Sequence, residues 1–173
     1  DLWQIHDVRT REDIGEIEAG DGALKAFMEA KRSGRVKHIG VTGHHDPAIL
    51  TYCVESWPVE SVMMPVNPVE GALGGFLDGT MPAAREGGLA VIGMKVLGHS
   101  GYISPDVPPE LLLRYALSQG ITVAIVGCSS PSEVRTLADT GKNFTPLDPE
   151  EERKLVGLFA PDARRLAFYR GIL

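Results

Sequence analysis

The chain has 173 residues, with 17 Lys and Arg against 23 Asp and Glu and a net charge of −6. No run approaches the roughly 20 apolar residues of a membrane span, and the basic residues are scattered, not clustered as on a nucleic-acid surface. The two cysteines, Cys53 and Cys128, stand far apart and outside any C-x-x-C pattern, so neither a disulfide framework nor a cysteine-based metal site is expected.

A short apolar run opens the chain at Leu2–His6, and similar runs follow at His38–Gly43, Ser61–Val66, Leu89–Lys95 and Ile121–Gly127. Continuous apolar strands suggest a sheet covered on both faces. Helices are predicted between them. Gly22–Ser33 gathers Leu24, Phe27 and Met28 on one face and ends at Gly34. Asp46 is an N-cap with Pro47 at the first helical position. Another helix stops at Gly87 and Gly88, and Pro109 opens one that Gly120 ends. Ser130 and Glu133 have capping-box spacing and start a short helix through Leu137. Tail helices follow Pro149, and the acidic segment Val8–Asp21 reads as a solvated loop.

Strand and helix alternate, which means a parallel α/β architecture in one domain, 1–173, with residues 146–173 as tail helices. No strand is followed by G-x-G-x-x-G, the mark of a dinucleotide-binding open sheet. Polar residues cluster at strand ends instead: His6, Asp7, Thr42, His44, His45, Asn67, Lys95, Ser129 and Ser130. In a (β/α)8 barrel such residues converge at the catalytic face. Five strands cannot close a barrel of eight, so the expectation is a partial TIM barrel lacking about three N-terminal units. The chain also begins at Asp1 directly before a strand, which reads as a fragment or a processed product.

Several segments then resemble one family. Asp1-Leu2-Trp3-Gln4-Ile5-His6 is similar to the fourth strand of aldo-keto reductases, usually Asp-Leu-(aromatic)-x-(apolar)-His. Lys31-Arg32-Ser33-Gly34-Arg35-Val36-Lys37-His38-Ile39-Gly40-Val41-Thr42 resembles their Lys-x-Gly-Lys-(apolar)-Arg into Ile-Gly-Val-Ser. Val66-Asn67-Pro68 resembles the Tyr-Asn-Pro end of the sixth strand. Leu111–Ser118 and Val126–Pro131 look like the seventh helix, the eighth strand and the phosphate loop.

The resemblance implies hydride transfer between NADP (or NAD) and a small carbonyl or alcohol substrate, in the cytoplasm. It makes His6 the catalytic histidine. The family's Tyr, Lys and Asp match nothing in this chain, so the fragment is expected to be inactive without the N-terminal half of its barrel. The resemblance places Thr42, Gly43 and His44 at the nicotinamide, with Gly43 where relatives carry Asn. Lys95, Leu97 and Gly98 correspond to the pyrophosphate loop. Gly127, Ser129, Ser130 and Glu133 correspond to the adenosine side. Met63 and Met94 replace the family's Gln and stacking aromatic. Two other readings compete: a non-catalytic half-barrel that binds cofactor or oligomerises, and a metal-dependent barrel hydrolase using His6, His44, His45, Asp7 and Asp46.

Overall fold

The computed structural model describes residues 1–171. In chain order its elements are β1 (Leu2–Ile5), α1 (Arg11–Glu18), α2 (Ala23–Arg32), β2 (His38–Thr42), α3 (Pro47–Ser56), β3 (Ser61–Pro65) and α4 (Pro68–Leu73). A π-helical turn (Phe76–Thr80), α5 (Met81–Glu86), β4 (Ala90–Met94) and a 3-10 turn (Gly98–Ser100) come next. The rest is α6 (Pro109–Ser118), β5 (Val123–Ala124), α7 (Pro131–Lys142), α8 (Pro149–Phe159), a 3-10 turn (Ala160–Asp162) and α9 (Ala163–Leu166). The predicted tail-helix region 146–173 reaches residues 172 and 173, which lie outside the described residues.

The chain divides into two compact units. One holds Asp1–Met64, Gly75–Val91 and the tail from Tyr169; the other holds Pro65–Gly74 and Ile92–Phe168.

In the first unit β1 pairs with β2, and β2 with β3, all parallel, with Leu2 opposite His38 and Gly40 opposite Ser61. Gly40 is required here, because a Cβ would sit 2.9 Å from the Ser61 carbonyl and collide with its hydroxyl. Ile39, Val41, Val62 and Met64 are fully buried. Each such side chain contributes about 1.5–3 kcal/mol relative to exposure. Helix α3 starts as its sequence dictates, with Asp46 accepting the Ala48 N–H and Pro47 in the first turn. Its Thr51 hydroxyl meets that of Thr80 at 2.8 Å.

Helix α1 corrects the expectation of a loop at Val8–Asp21. Thr10 accepts the Asp13 N–H, and Asp13 accepts the N–H groups of Arg9 and Thr10, which hold its carboxyl below the usual range. Glu18, at the end of α1, accepts hydrogen bonds from Trp57 Nε1 at 2.7 Å and Tyr52 OH at 3.2 Å. The acidic segment is therefore anchored to α3.

In the second unit the Val66 N–H donates to the Met94 carbonyl, and β4 pairs with β5 in parallel. Asn67 caps α4 by accepting the Glu70 N–H at 3.0 Å. Leu112, Tyr115, Ala116, Val69 and Leu155 form buried positions on α6, α4 and α8. The clear apolar run Ile121–Gly127 yields only a two-residue strand, although the Ile125 N–H still reaches the Gly93 carbonyl. Val123 and Ile125 are each 49% exposed, so this strand is covered on one side at most. Helix α7 runs to Lys142, past the predicted Leu137.

Candidate functional site

The predicted site residues fall into two clusters, one in each unit. The first lies at the ends of β1 and β2. His6 follows β1 and is exposed. Asp7 takes φ of 58°, in the left-handed region that non-glycine residues seldom occupy. Its N–H donates to Thr42 Oγ1 at 2.7 Å, and the Val8 N–H donates to the Thr42 carbonyl at 3.0 Å. The Thr42 hydroxyl thus fastens the turn after β1 to the end of β2. The Asp7 carboxylate is only 6% exposed. Oδ2 accepts from Arg9 Nε at 2.6 Å and pairs with the rest of that guanidinium. Oδ1 lies 3.3 Å from His44 Nδ1.

Gly43 is closely packed, with space for a Cβ only 3.1 Å from Leu50 and 3.2 Å from the Val8 carbonyl. A side chain there would need Leu50 or the turn after β1 to give by a few tenths of an ångström. His44 is 20% exposed and presents its ring at 80° to Tyr169, centroid to centroid 6.2 Å. His45 turns to the tail instead: its carbonyl accepts the Gly171 N–H, and its ring leaves no room for a side chain at Gly171. Asp46 is occupied with the α3 cap. Among the described residues no three His, Cys, Asp or Glu side chains come close enough to hold a metal ion.

The second cluster joins the end of β4, the end of β5 and the start of α7. Lys95, Gly98, His99 and Ser100 all have positive φ, between 53° and 67°. Gly98 lies against the face of Tyr102, where any Cβ would collide with the ring. Asn67 Nδ2 donates to the Lys95 carbonyl at 3.2 Å, and Lys95 Nζ lies 6.0 Å over Phe168. A cleft of about 280 Å³ is lined by Leu97, Ser100, Gly127, Ser129, Ser132 and Glu133, among others. A hollow of about 300 Å³ is lined by Met94, Lys95, Leu97, Gly98 and Gly127. Lys95, Leu97, Gly98, Gly127, Ser129 and Glu133 therefore share two hollows of one unit.

Ser130 is the N-cap of α7 and accepts the Glu133 N–H at 3.3 Å. Glu133 accepts the Ser129 N–H at 2.7 Å. The carboxylate thus occupies one backbone donor just before the helix N-terminus, close to the place where an external anion would be attracted. Glu133 thus does local capping work and also lines the cleft.

Sequence reasoning missed Asp7 as the partner of His44 and Asn67 as the brace of Lys95. Asn67 has N-cap spacing before Pro68, a signal present in the sequence, whereas nothing near Asp7 points to His44.

No protein-family model matches this chain, and no curated protein matches it. Solved structures do. The holo form of aldo-keto reductase AKR11C1 from Bacillus halodurans superposes with a TM-score of 0.67 at 20% identity, over 96% of this chain and 58% of that one. The thermostable aldo-keto reductase Tm1743, solved with the inhibitor epalrestat, gives 0.68 at 18% identity, over 91% and 59%. The glycerol dehydrogenase AKR11B4 from Gluconobacter oxydans gives 0.68 at 17% identity, over 93% and 58%. The chain thus spans under two thirds of the length of the structures it resembles. Its fold is that of part of a (β/α)8 barrel, with five parallel strands alternating with helices.

Proposed function

We propose that the chain is part of an NAD(P)H-dependent oxidoreductase that moves hydride between a nicotinamide and a small carbonyl or alcohol. The observation that carries this is the cleft at the start of α7, which gathers Leu97, Gly127, Ser129 and Glu133 from separate loops. Its lining suits a dinucleotide. Gly127 faces open space, so a ligand can approach the backbone there. Ser100, Ser129 and Ser132 offer hydroxyls that suit sugar oxygens. The bound nicotinamide would supply the hydride.

The chain's own residues would bind and orient. Lys95 would add positive charge beside the pyrophosphate. Thr42 spends its hydroxyl as acceptor on Asp7 and keeps its O–H free to donate. His6, exposed at the end of β1, would donate a hydrogen bond to the substrate oxygen. Glu133 changes the expected cofactor. A carboxylate at the α7 N-terminus repels a 2′-phosphate and accepts from a ribose diol, so the reading favours NAD over NADP.

The test is fluorescence titration of the chain with NADH and NADPH. NADH is expected to bind more tightly, and Glu133→Gln is expected to narrow the gap by about two- to fivefold, the loss of up to about 1 kcal/mol of charge repulsion at an exposed site. Absence of binding by either nucleotide would overturn the reading.

A further inference from the structure

The two hollows of the second unit differ in the charge that they present. They meet at Leu97, Ser100 and Gly127, which line both. In the cleft at the start of α7 the one charged side chain is Glu133, and the other polar side chains are serine and threonine hydroxyls. In the neighbouring hollow of about 300 Å³ the lining holds Lys95 and His99 and no carboxylate. A ligand that reaches through both is therefore sorted by charge, its hydroxyl-bearing part toward Glu133 and its anionic part toward His99.

His99 is held there in an unfavourable conformation. Its backbone takes φ of 53° and ψ of 39°, in the left-handed region that disfavours any residue with a Cβ, although His enters it more often than most. Ser100 follows at φ of 67°. The turn is closed by the Gly98 N–H on the Lys95 carbonyl and the Gly101 N–H on the Gly98 carbonyl. The imidazole packs against Phe168, centroid to centroid 5.0 Å, and neither ring nitrogen has a hydrogen-bond partner among the described residues. Strain of this kind persists where the surrounding structure enforces it, and it gathers at ligand clamps.

We propose that His99 is an anion-binding residue whose ring donates a hydrogen bond to a diphosphate lying in the second hollow. The proposal rests on the oxidoreductase reading above and deepens it by naming a side chain that reads the phosphates. An imidazole donates from a ring nitrogen whether neutral or protonated, so the contact requires no particular charge state. A bond to an anionic oxygen is also stronger than one between neutral groups. Both hollows belong to one compact unit, so ADP, which carries no nicotinamide, contains every group that they recognise.

The test follows the His99 ring signals by proton–nitrogen NMR while the chain is titrated with ADP, adenosine and inorganic pyrophosphate. ADP and pyrophosphate should move those signals, and adenosine should leave them in place. His99→Gly removes the ring at a position whose backbone glycine adopts freely. ADP should bind this variant about tenfold more weakly, the loss of one hydrogen bond to a charged group, with adenosine affinity unchanged. Ring signals that stay still while ADP binds, or equal ADP affinity in His99→Gly, would overturn the assignment and leave the oxidoreductase reading standing. Signals that move with pyrophosphate while NADH, ADP and adenosine all fail to bind would uphold the anion site and remove the oxidoreductase reading. No movement with any probe and no nucleotide binding would remove both.

Discussion

Replacing Asn67 with Ala tests how the rim of the second cluster is held. The side chain is fully buried and does two jobs: it accepts the Glu70 N–H at the start of α4 and donates to the Lys95 carbonyl. Loss of an N-cap costs about 1 kcal/mol. The Lys95 carbonyl keeps the Gly98 N–H at 3.1 Å, so losing the side-chain donor costs only about 0.5–1.5 kcal/mol more. The expected destabilisation is therefore about 2 kcal/mol, read as a shift of the urea midpoint at unchanged slope. Asn67→Asp separates the parts, because a carboxylate still caps α4 but turns an acceptor toward the Lys95 carbonyl. It should recover little of the loss. A loss under about 1 kcal/mol for Asn67→Ala would refute the reasoning, since it would mean that neither bond matters in folding. Lys95 has a left-handed backbone, so the same variant should also loosen the loop 95–101, visible as faster amide exchange there.

Three further outcomes follow from the structure. Lys31 Nζ at 2.7 Å and His38 Nδ1 at 3.1 Å hold the Glu60 carboxyl down at about 2, from an ordinary value of 4.5. A depressed carboxylate stabilises fully above its ordinary value and loses that contribution as pH falls from about 4.5 to 2, so Glu60→Gln should flatten that part of an acid-unfolding curve. Gly71→Ala places a methyl group against the Tyr115 hydroxyl and 2.9 Å from Val156 Cγ2, and should cost about 1–3 kcal/mol in urea unfolding by overpacking. Burial, with Glu18 adding its charge, pushes the Cys53 thiol up to about 12, while Cys128 is exposed, so a thiol reagent should label Cys128 rapidly and Cys53 only on unfolding.

Much of this architecture was readable where local and global signals agree. The Asp46-Pro47 start of α3 and the Ser130 start of α7 combine a cap, a proline and an apolar stripe, and both helices begin where those signals place them. Helix α1 was hidden because its acidic residues obscure the single buried Ile14, although Thr10 and Asp13 already had capping spacing. The shortness of β5 was invisible for the opposite reason: an apolar run records strand propensity, not the number of partners that flank it. The predicted cleft residues of the second unit share two hollows because two successive strand–helix turns, after β4 and after β5, carry them. The Asp7–His44 contact escaped because the partners come from different strands, and nothing local in either segment announces the other.

The half-covered outer strands bear on how the protein behaves at high concentration. Leu2 and Trp3 on β1, and Val123 and Ile125 around β5, are 40 to 49% exposed. Apolar strands with a free side are templates for further pairing, and like charge is what keeps such surfaces apart. Here that repulsion comes from a net charge of −6, which vanishes near the isoelectric point of about 5.3. Turbidity should therefore rise sharply as buffer approaches that pH, well before Glu60 takes up its proton, and precipitation in acid will reflect colloidal contact between folded molecules.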